Sequence, residues 1–116
     1  MGFNPEPDLS PDEVRERVDD AIENEDVVLF MKGTEMMPQC GFSRRALGLI
    51  KQHREDVETV NVLDALDAYR EALEAHSGWE TIPQTYVDGE FVGGSDVLAE
   101  LEERGELAEE LGAEST

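Results

Sequence analysis

The sequence predicts an α/β domain built on a four-stranded mixed sheet with helices on both faces. Strand-like segments alternate with segments of helical periodicity in the order α-β-α-β-α-β-β-α. A helix between the first two strands implies a right-handed crossover, which makes those two strands parallel. An Asp-Gly pair joins the last two strands in a short hairpin, which adds antiparallel neighbours to the same sheet.

The first helix is predicted to begin after Ser10. Residues 10–13 read Ser-Pro-Asp-Glu, which supplies a capping residue, a proline at the first helical position and the glutamate of a capping box. The first strand is the continuous apolar run Val27–Met31, typical of a strand that is covered on both faces. The apolar positions on one face of the helix are Val14, Val18, Ala21 and Ile22.

A loop, a second helix, a second strand and a third helix follow. The predicted bounds are 32–39 for the loop, 41–53 for the helix, 57–62 for the strand and 64–75 for the third helix. Residues at helical spacing are expected to face the interior, and they are Phe42, Ala46, Leu49 and Ile50 in the second helix and Leu66, Tyr69 and Leu73 in the third.

The last part of the chain is predicted to be a hairpin and one helix. Strands 85–87 and 90–92 turn at Asp88-Gly89. Gly93-Gly94-Ser95 interrupts the chain before a single helix over 96–111. We expect one domain over residues 10–111, with a flexible N-terminal tail at 1–9 and a polar C-terminal tail at 112–116.

Composition excludes several classes of function. The chain of 116 residues has 29 acidic and 9 basic residues and a formal net charge of -20, which argues against binding nucleic acid or an anionic membrane. Solubility in high salt is favoured over binding of a specific cationic partner as the reason for this acidic excess, so we expect the protein to come from a salt-loving organism. No apolar run has membrane length, and residues 1–11 do not resemble a signal peptide. The single cysteine suits a reducing cytoplasm.

The basic residues are concentrated in one segment, from Val27 to Arg54. It carries a formal charge of +4, from Lys32, Arg44, Arg45, Lys51 and Arg54 against Glu35 alone. This segment would attract a small anionic ligand to the region of the cysteine. Chance and the matching of helix dipoles explain the same distribution equally well.

Cys40 is the only cysteine, and it lies in Cys-Gly-Phe-Ser. Ser43 occupies the position of the second cysteine in a Cys-x-x-Cys motif, so an internal disulfide cannot form. The partner of the sulfur must come from outside the chain, as a small thiol, another protein or a metal. A cysteine between a strand and a helix N-terminus has a lowered pKa, and Lys32 at the end of the strand would lower it further.

Four segments together resemble the monothiol glutaredoxins, a family of the thioredoxin-like superfamily. The resemblance extends from about Val14 to Leu111 and implies a thioredoxin-like (glutaredoxin) fold with Cys40 as the active thiol. The four segments are Lys32-Gly33-Thr34, Pro38-Gln39-Cys40-Gly41-Phe42-Ser43, Trp79-Glu80-Thr81-Ile82-Pro83-Gln84 and Gly93-Gly94-Ser95-Asp96.

The resemblance also implies a site for glutathione or a related γ-glutamyl thiol. Lys32 and Arg70 would hold the terminal carboxylate, with Phe42 nearby. Ile82 would offer main-chain hydrogen bonds, because the bond to Pro83 would be cis. The segment Gly94, Ser95 and Asp96 would hold the γ-glutamyl end. Two amides at the start of the last helix would bind it, and the Asp96 carboxylate would face the ligand ammonium.

The chain departs from the family pattern at several positions. Ser95 stands where many members have a second cysteine, and Glu80 replaces a common proline without affecting the expected chemistry. Met36 and Met37 either form an apolar rim for a partner or fill a gap in the loop, and the second is favoured. Trp79 is expected to pack beside its loop.

The resemblance favours the carriage of an iron–sulfur cluster. A [2Fe–2S] cluster takes four thiolates, so Cys40 from each of two chains and two small thiols would hold it in a homodimer that serves iron–sulfur recipient or assembly proteins. The alternative is a glutathione-dependent thiol–disulfide oxidoreductase that uses Cys40, and an inert binding module is least favoured. The identity of the small thiol and the dominant activity are open at this point.

Overall fold

The computed structural model describes residues 9–112, and these form a four-stranded sheet between two helical layers. The elements are α1 (Pro11–Asn24), β1 (Val27–Met31), α2 (Gly41–Lys51), β2 (Glu58–Asn61), a 3-10 turn (Val62–Ala65), α3 (Leu66–Ser77), β3 (Gln84–Val87), β4 (Glu90–Gly93), α4 (Ser95–Glu103) and α5 (Leu107–Glu110).

The strand order across the sheet is β2-β1-β3-β4. β1 runs parallel to β2 and antiparallel to β3, and β3 pairs antiparallel with β4. The mixed sheet predicted from the sequence is therefore confirmed. The parallel pair flanks the α2 crossover and the antiparallel pair flanks the Asp88-Gly89 turn, as the pattern requires.

β1 lies in the interior of the sheet, and all five of its side chains are buried. Val28 and Phe30 pack on one face in a cluster with α1 and α3. Val27, Leu29 and Met31 pack on the other face in a cluster with α2, α4 and α5. The continuous apolar run thus supplies both layers of the core, since successive side chains of a strand point to opposite faces.

The start of α1 follows the sequence prediction. The Ser10 hydroxyl accepts a hydrogen bond from the Glu13 amide at 3.1 Å, and the Ser10 amide donates to the Glu13 carboxylate at 2.9 Å, which completes a capping box. Leu9, assigned to the N-terminal tail from the sequence, is half-buried against the α1–α3 layer. The remaining residues of both predicted tails lie outside the described range.

Two sequence predictions about helices are wrong. The last helix is not continuous over 96–111, because α4 ends at Glu103 and Gly105 takes the left-handed backbone (φ +73) that turns the chain into α5. The buried face of α2 also differs from the prediction: Phe42 is 60% exposed and Leu49 only half-buried. The buried stripe is Ser43, Ala46, Leu47 and Ile50, which has the i, i+3, i+4, i+7 spacing of one helix face.

The strand pairing brings several connecting segments together at one end of the sheet, where β1 and β4 finish and β3 begins. Phe30 near the end of β1 pairs with Gln84 at the start of β3, and Thr85 pairs with Gly93 at the end of β4. The start of α2, the loop before β3 and the start of α4 therefore meet at this end of the sheet. Within residues 9–112, no helix has the length and apolar character needed to cross a membrane.

Candidate functional site

Cys40 lies at the N-terminus of α2, half-buried and with extended backbone (φ -150). Burial raises the pKa of its thiol, but several groups outweigh it, and the pKa is lowered overall. They are, in decreasing effect, the amides of Ser43 and Phe42, the Ser43 hydroxyl and the charge of Lys32. The Ser43 and Phe42 groups lower the pKa as hydrogen-bond donors that stabilise the thiolate, and Lys32 lowers it by its positive charge.

Ser43 has a structural role that the sequence did not indicate. It is fully buried, and its hydroxyl accepts a hydrogen bond from the Lys32 amide at 3.0 Å. This bond joins the end of β1 to the first turn of α2, so it fixes the relative positions of Lys32 and Cys40. The position of the absent second cysteine is thus occupied by a buried residue that holds the site together.

The loop before Cys40 is tightly folded around Gly33. Gly33 has φ +95, and a Cβ there would stand 2.5 Å from the Gln39 amide nitrogen, so only glycine fits. Met36 is 89% exposed and Met37 66% exposed on the outside of this loop. The favoured prediction that these methionines fill a loop gap is wrong; they form an exposed apolar rim before Cys40.

A groove of about 560 Å³ lies beside the start of α2. Trp79 lines it and is 59% exposed, so the prediction that this side chain packs beside its loop is wrong. The bond between Ile82 and Pro83 is cis, as the resemblance implies. Six of the expected thiol-site residues line the groove: Phe42, Ile82, Pro83, Gly94, Ser95 and Asp96.

Gln84 holds the loop on the far side of the groove, a role that the sequence did not predict. Its side chain is 1% exposed, and its amide donates to the carbonyl oxygens of Trp79 at 2.7 Å and Thr81 at 3.0 Å. Its own side-chain oxygen accepts a hydrogen bond from the buried Tyr86 hydroxyl at 2.8 Å. The sequence feature that could have indicated this role is a glutamine directly after Pro83, at the first residue of β3.

The start of α4 forms the third side of the groove. A Cβ on Gly94 would stand 2.9 Å from the Pro83 carbonyl oxygen, so this approach requires glycine. The first amides of α4, at Ser95 and Asp96, have no carbonyl of their own helix to bind and are suited to an anionic group. The Asp96 carboxylate is 91% exposed and lies 3.8 Å from the Arg45 guanidinium.

A profile of the glutaredoxin family matches residues 27–92, which is more than half of the chain. An uncharacterized monothiol glutaredoxin of Synechocystis is 44% identical over 99 residues, covering 85% of this chain and 92% of that protein. The chain belongs to the monothiol glutaredoxin family. The mitochondrial monothiol glutaredoxin-5 of Saccharomyces cerevisiae is 45% identical over 101 residues, covering 85% of this chain and 67% of that protein.

The solution structure of reduced poplar apo GrxS14 matches this monothiol glutaredoxin with a TM-score of 0.74 and 40% identity. The match covers 85% of this chain and 90% of the poplar chain. The thioredoxin-like fold expected from the four sequence segments is therefore confirmed, with the mixed sheet and surrounding helices described above.

Arg70 is not among the residues that line the groove of this monothiol glutaredoxin, and neither are Lys32 and Cys40. Arg70 lines a separate cavity on the α3 side, and its guanidinium is 4.0 Å from the Asp67 carboxylate. Lys32 lies near Cys40, where its charge acts on the thiol. The resemblance assigns Lys32 and Arg70 to the same ligand carboxylate. In the structure Lys32 acts on the Cys40 thiol, whereas Arg70 lines a cavity with acidic residues.

The basic segment around the cysteine is largely neutralised in the folded chain. Lys51 pairs with Glu35 at 2.5 Å, and Arg45 faces Asp96. Arg54 pairs with Asp56 at 2.5 Å and donates to the Leu111 carbonyl at 2.8 Å, so it anchors the end of α5. Lys32 and Arg44 have no ion pair within residues 9–112. The local positive charge is consequently smaller than the sequence suggests.

Proposed function

We propose that this protein binds a small γ-glutamyl thiol, glutathione or a relative, and carries a [2Fe–2S] cluster that is bridged between two protomers. The observation that carries the proposal is the state of Cys40. It is the single cysteine of the chain, its pKa is lowered, and it is partly exposed at a helix N-terminus. The neighbouring Ser43 is buried and cannot act as a second thiol.

The donor set of one chain fits a shared cluster rather than a resident metal. In the part of the chain that the structure describes, no group of three or more His, Cys, Asp or Glu residues is arranged to hold a metal ion. A [2Fe–2S] cluster takes four thiolates. Two copies of Cys40 supply two, and two small thiols supply the others, which is the arrangement that the family resemblance implies.

The groove supports binding of the small thiol. The exposed Asp96 carboxylate and the free amides at the start of α4 are suited to the ammonium and carboxylate of a γ-glutamyl group. Ile82 lines the groove, where its main chain would bind the thiol, and the exposed Phe42 would offer apolar surface two residues after Cys40. The thiol would thus lie along the groove with its sulfur directed toward the α2 N-terminus.

This arrangement makes the cluster transferable. Half of its ligands would be exchangeable small thiols, so loss of these thiols releases the cluster to recipient or assembly proteins. Without the cluster, the formal charge of -20 opposes self-association, and we expect the apo protein to be a monomer. The acidic surface suits a high-salt cytoplasm, where free thiols remain reduced.

The lowered pKa of Cys40 also favours a second candidate function, the removal of glutathione from mixed disulfides. The Cys40 thiolate would attack the glutathione sulfur and release the protein thiolate, leaving glutathione bound to Cys40. A second glutathione thiolate would then attack this disulfide, releasing oxidised glutathione and regenerating the Cys40 thiolate.

Anaerobic reconstitution with iron, sulfide and glutathione tests the proposal, with the visible absorption spectrum as readout. The wild-type protein should become brown and contain one cluster per two chains. Cys40→Ser should stay folded and colourless, because the remaining ligands are external. A Cys40→Ser protein that binds a stoichiometric cluster contradicts the ligand assignment. A colourless wild type that deglutathionylates substrates favours the oxidoreductase.

A further inference from the structure

The exposed apolar side chains of residues 9–112 are concentrated in the loop before Cys40, the first turn of α2 and the groove. Isolated exposed apolar residues are normal on a protein surface, but a group of them marks a binding surface. The group consists of Met36, Met37, Phe42, Trp79 and Val97, and Leu63 is the one further large apolar residue that is exposed. Within the group, only Met36 and Met37, here called the methionine rim, do not line the groove.

The methionine rim is carried by a short hairpin whose backbone is fixed by hydrogen bonds. The Met37 amide donates to the Thr34 carbonyl at 3.1 Å and to the Thr34 hydroxyl at 3.0 Å, and the Thr34 amide donates back to the Met37 carbonyl at 3.1 Å. The Gln39 amide donates to the Lys32 carbonyl at 2.9 Å and closes the base of the hairpin. Met36 therefore lies at the tip of a defined turn. A side chain on a preorganised backbone loses less entropy when a partner covers it.

The rim lies in the least acidic part of a strongly acidic chain. Glu35 is the only acidic residue in the loop before Cys40 and in α2, and Lys51 pairs with it. Lys32 and Arg44 have no ion pair within residues 9–112. Two copies of a chain with a formal net charge of -20 therefore repel each other less here than through their acidic segments. A cluster with its four thiolates is anionic and would lie between the cations of the two copies.

We propose that Met36 and Met37 of each copy pack against the second copy in the cluster-bridged dimer. This inference rests on the proposed function, because the shared cluster brings the two copies together. Met37 is three residues from Cys40, a span of at most about 11 Å along the chain, so the rim lies beside the point where the copies meet. In a two-fold dimer the same patch of each copy faces the other. The flexible thioether side chains suit an irregular apolar contact of this kind.

The rim is too small to hold two copies together without the cluster. Stable protein interfaces bury about 1,200–2,000 Å² in total, which is more than two side chains from each copy can cover. The bonds to the cluster supply the rest of the attraction, and the methionine contact adds to them. The rim is therefore compatible with the monomer that we expect for the apo protein.

The test compares two double variants of the full-length protein. Met36→Gln with Met37→Gln makes the rim polar, and the control Met36→Leu with Met37→Leu keeps it apolar at similar volume. Both side chains are exposed, so neither variant disturbs the core. After anaerobic reconstitution with iron, sulfide and glutathione, sedimentation velocity over a dilution series gives the dissociation constant of the dimer. Fluorescence of Trp79, the only tryptophan and a groove residue, reports binding of S-methylglutathione to the apo protein.

We expect the glutamine variant to weaken the cluster-bound dimer about 10- to 100-fold, because the partial burial of two methionines from each copy is lost. The leucine variant should stay within about threefold of the wild type. Binding of S-methylglutathione should change by less than about twofold in either variant, because the rim does not line the groove.

An unchanged dissociation constant in the glutamine variant overturns the role of the rim and leaves the proposed function intact. A leucine variant as weak as the glutamine variant also overturns it, since the contact would then not be apolar. Equal weakening of S-methylglutathione binding would assign the effect to the thiol site instead. An unchanged dimer with slower cluster transfer to an apo-ferredoxin would assign the rim to a recipient protein. If the wild type forms no cluster-bridged dimer, the proposed function is rejected together with this inference.

Discussion

Replacement of Gln84 by methionine tests how the groove is held in place. Methionine has nearly the volume of glutamine but neither donates to the Trp79 and Thr81 carbonyls nor accepts from the Tyr86 hydroxyl. A buried hydroxyl left without a partner costs about 1–3 kcal/mol. The two carbonyls belong to an exposed loop and can bind water, so they add about 1 kcal/mol.

We therefore expect Gln84→Met to lower the free energy of unfolding by about 2–4 kcal/mol, a large share of the roughly 5–15 kcal/mol of a typical domain. Urea denaturation followed by Trp79 fluorescence measures it. Gln52→Met, at an exposed helix end, is the control and should change little. Adding Tyr86→Phe to Gln84→Met should recover part of the loss, because the orphaned hydroxyl is then removed.

The hydrogen-bond account of this loop is refuted if Gln84→Met is as stable as the Gln52→Met control. It is also refuted if Tyr86→Phe adds its full cost to that of Gln84→Met, since the two side chains would then act independently.

Two further predictions concern the thiolate and the groove wall. Lys32→Met should raise the pKa of Cys40, so the rate of alkylation by iodoacetamide should rise with pH at higher values than in the wild type, while Lys51→Met should leave the profile unchanged. Gly94→Ala should destabilise the protein by about 1–3 kcal/mol in urea, because its Cβ would collide with a loop carbonyl. Gly41→Ala meets open space and should not destabilise it; equal losses in the two glycine variants would contradict the close approach at α4.

The fold was predictable because its main signals are local. The capping box at Ser10, the apolar run of β1 and the Asp88-Gly89 turn each specify an element without reference to the rest of the chain. The break in the last helix was harder to predict, since Gly105 alone ends α4 there and an isolated glycine is tolerated within many helices.

The candidate site was only partly predictable, because its details depend on contacts between distant residues. The motifs locate the start of α2, where Cys40 lies and Phe42 lines the groove, and they also locate the groove's two other sides. They do not reveal that Ser43 binds the Lys32 amide, that Gln84 holds the Trp79 loop, or that Arg70 lies in an acidic cavity. These facts follow from side-chain packing between separate elements, which one sequence does not specify.

Native mass spectrometry of the anaerobically reconstituted protein tests the central claim most directly, because it counts chains, clusters and small thiols in one particle. The account predicts a species of two chains, one [2Fe–2S] cluster and two thiols, and a monomer when the cluster is removed. The same treatment of Cys40→Ser should yield only cluster-free monomer. A monomer that carries a cluster, or a cluster-bound dimer without small thiols, would contradict the bridged arrangement.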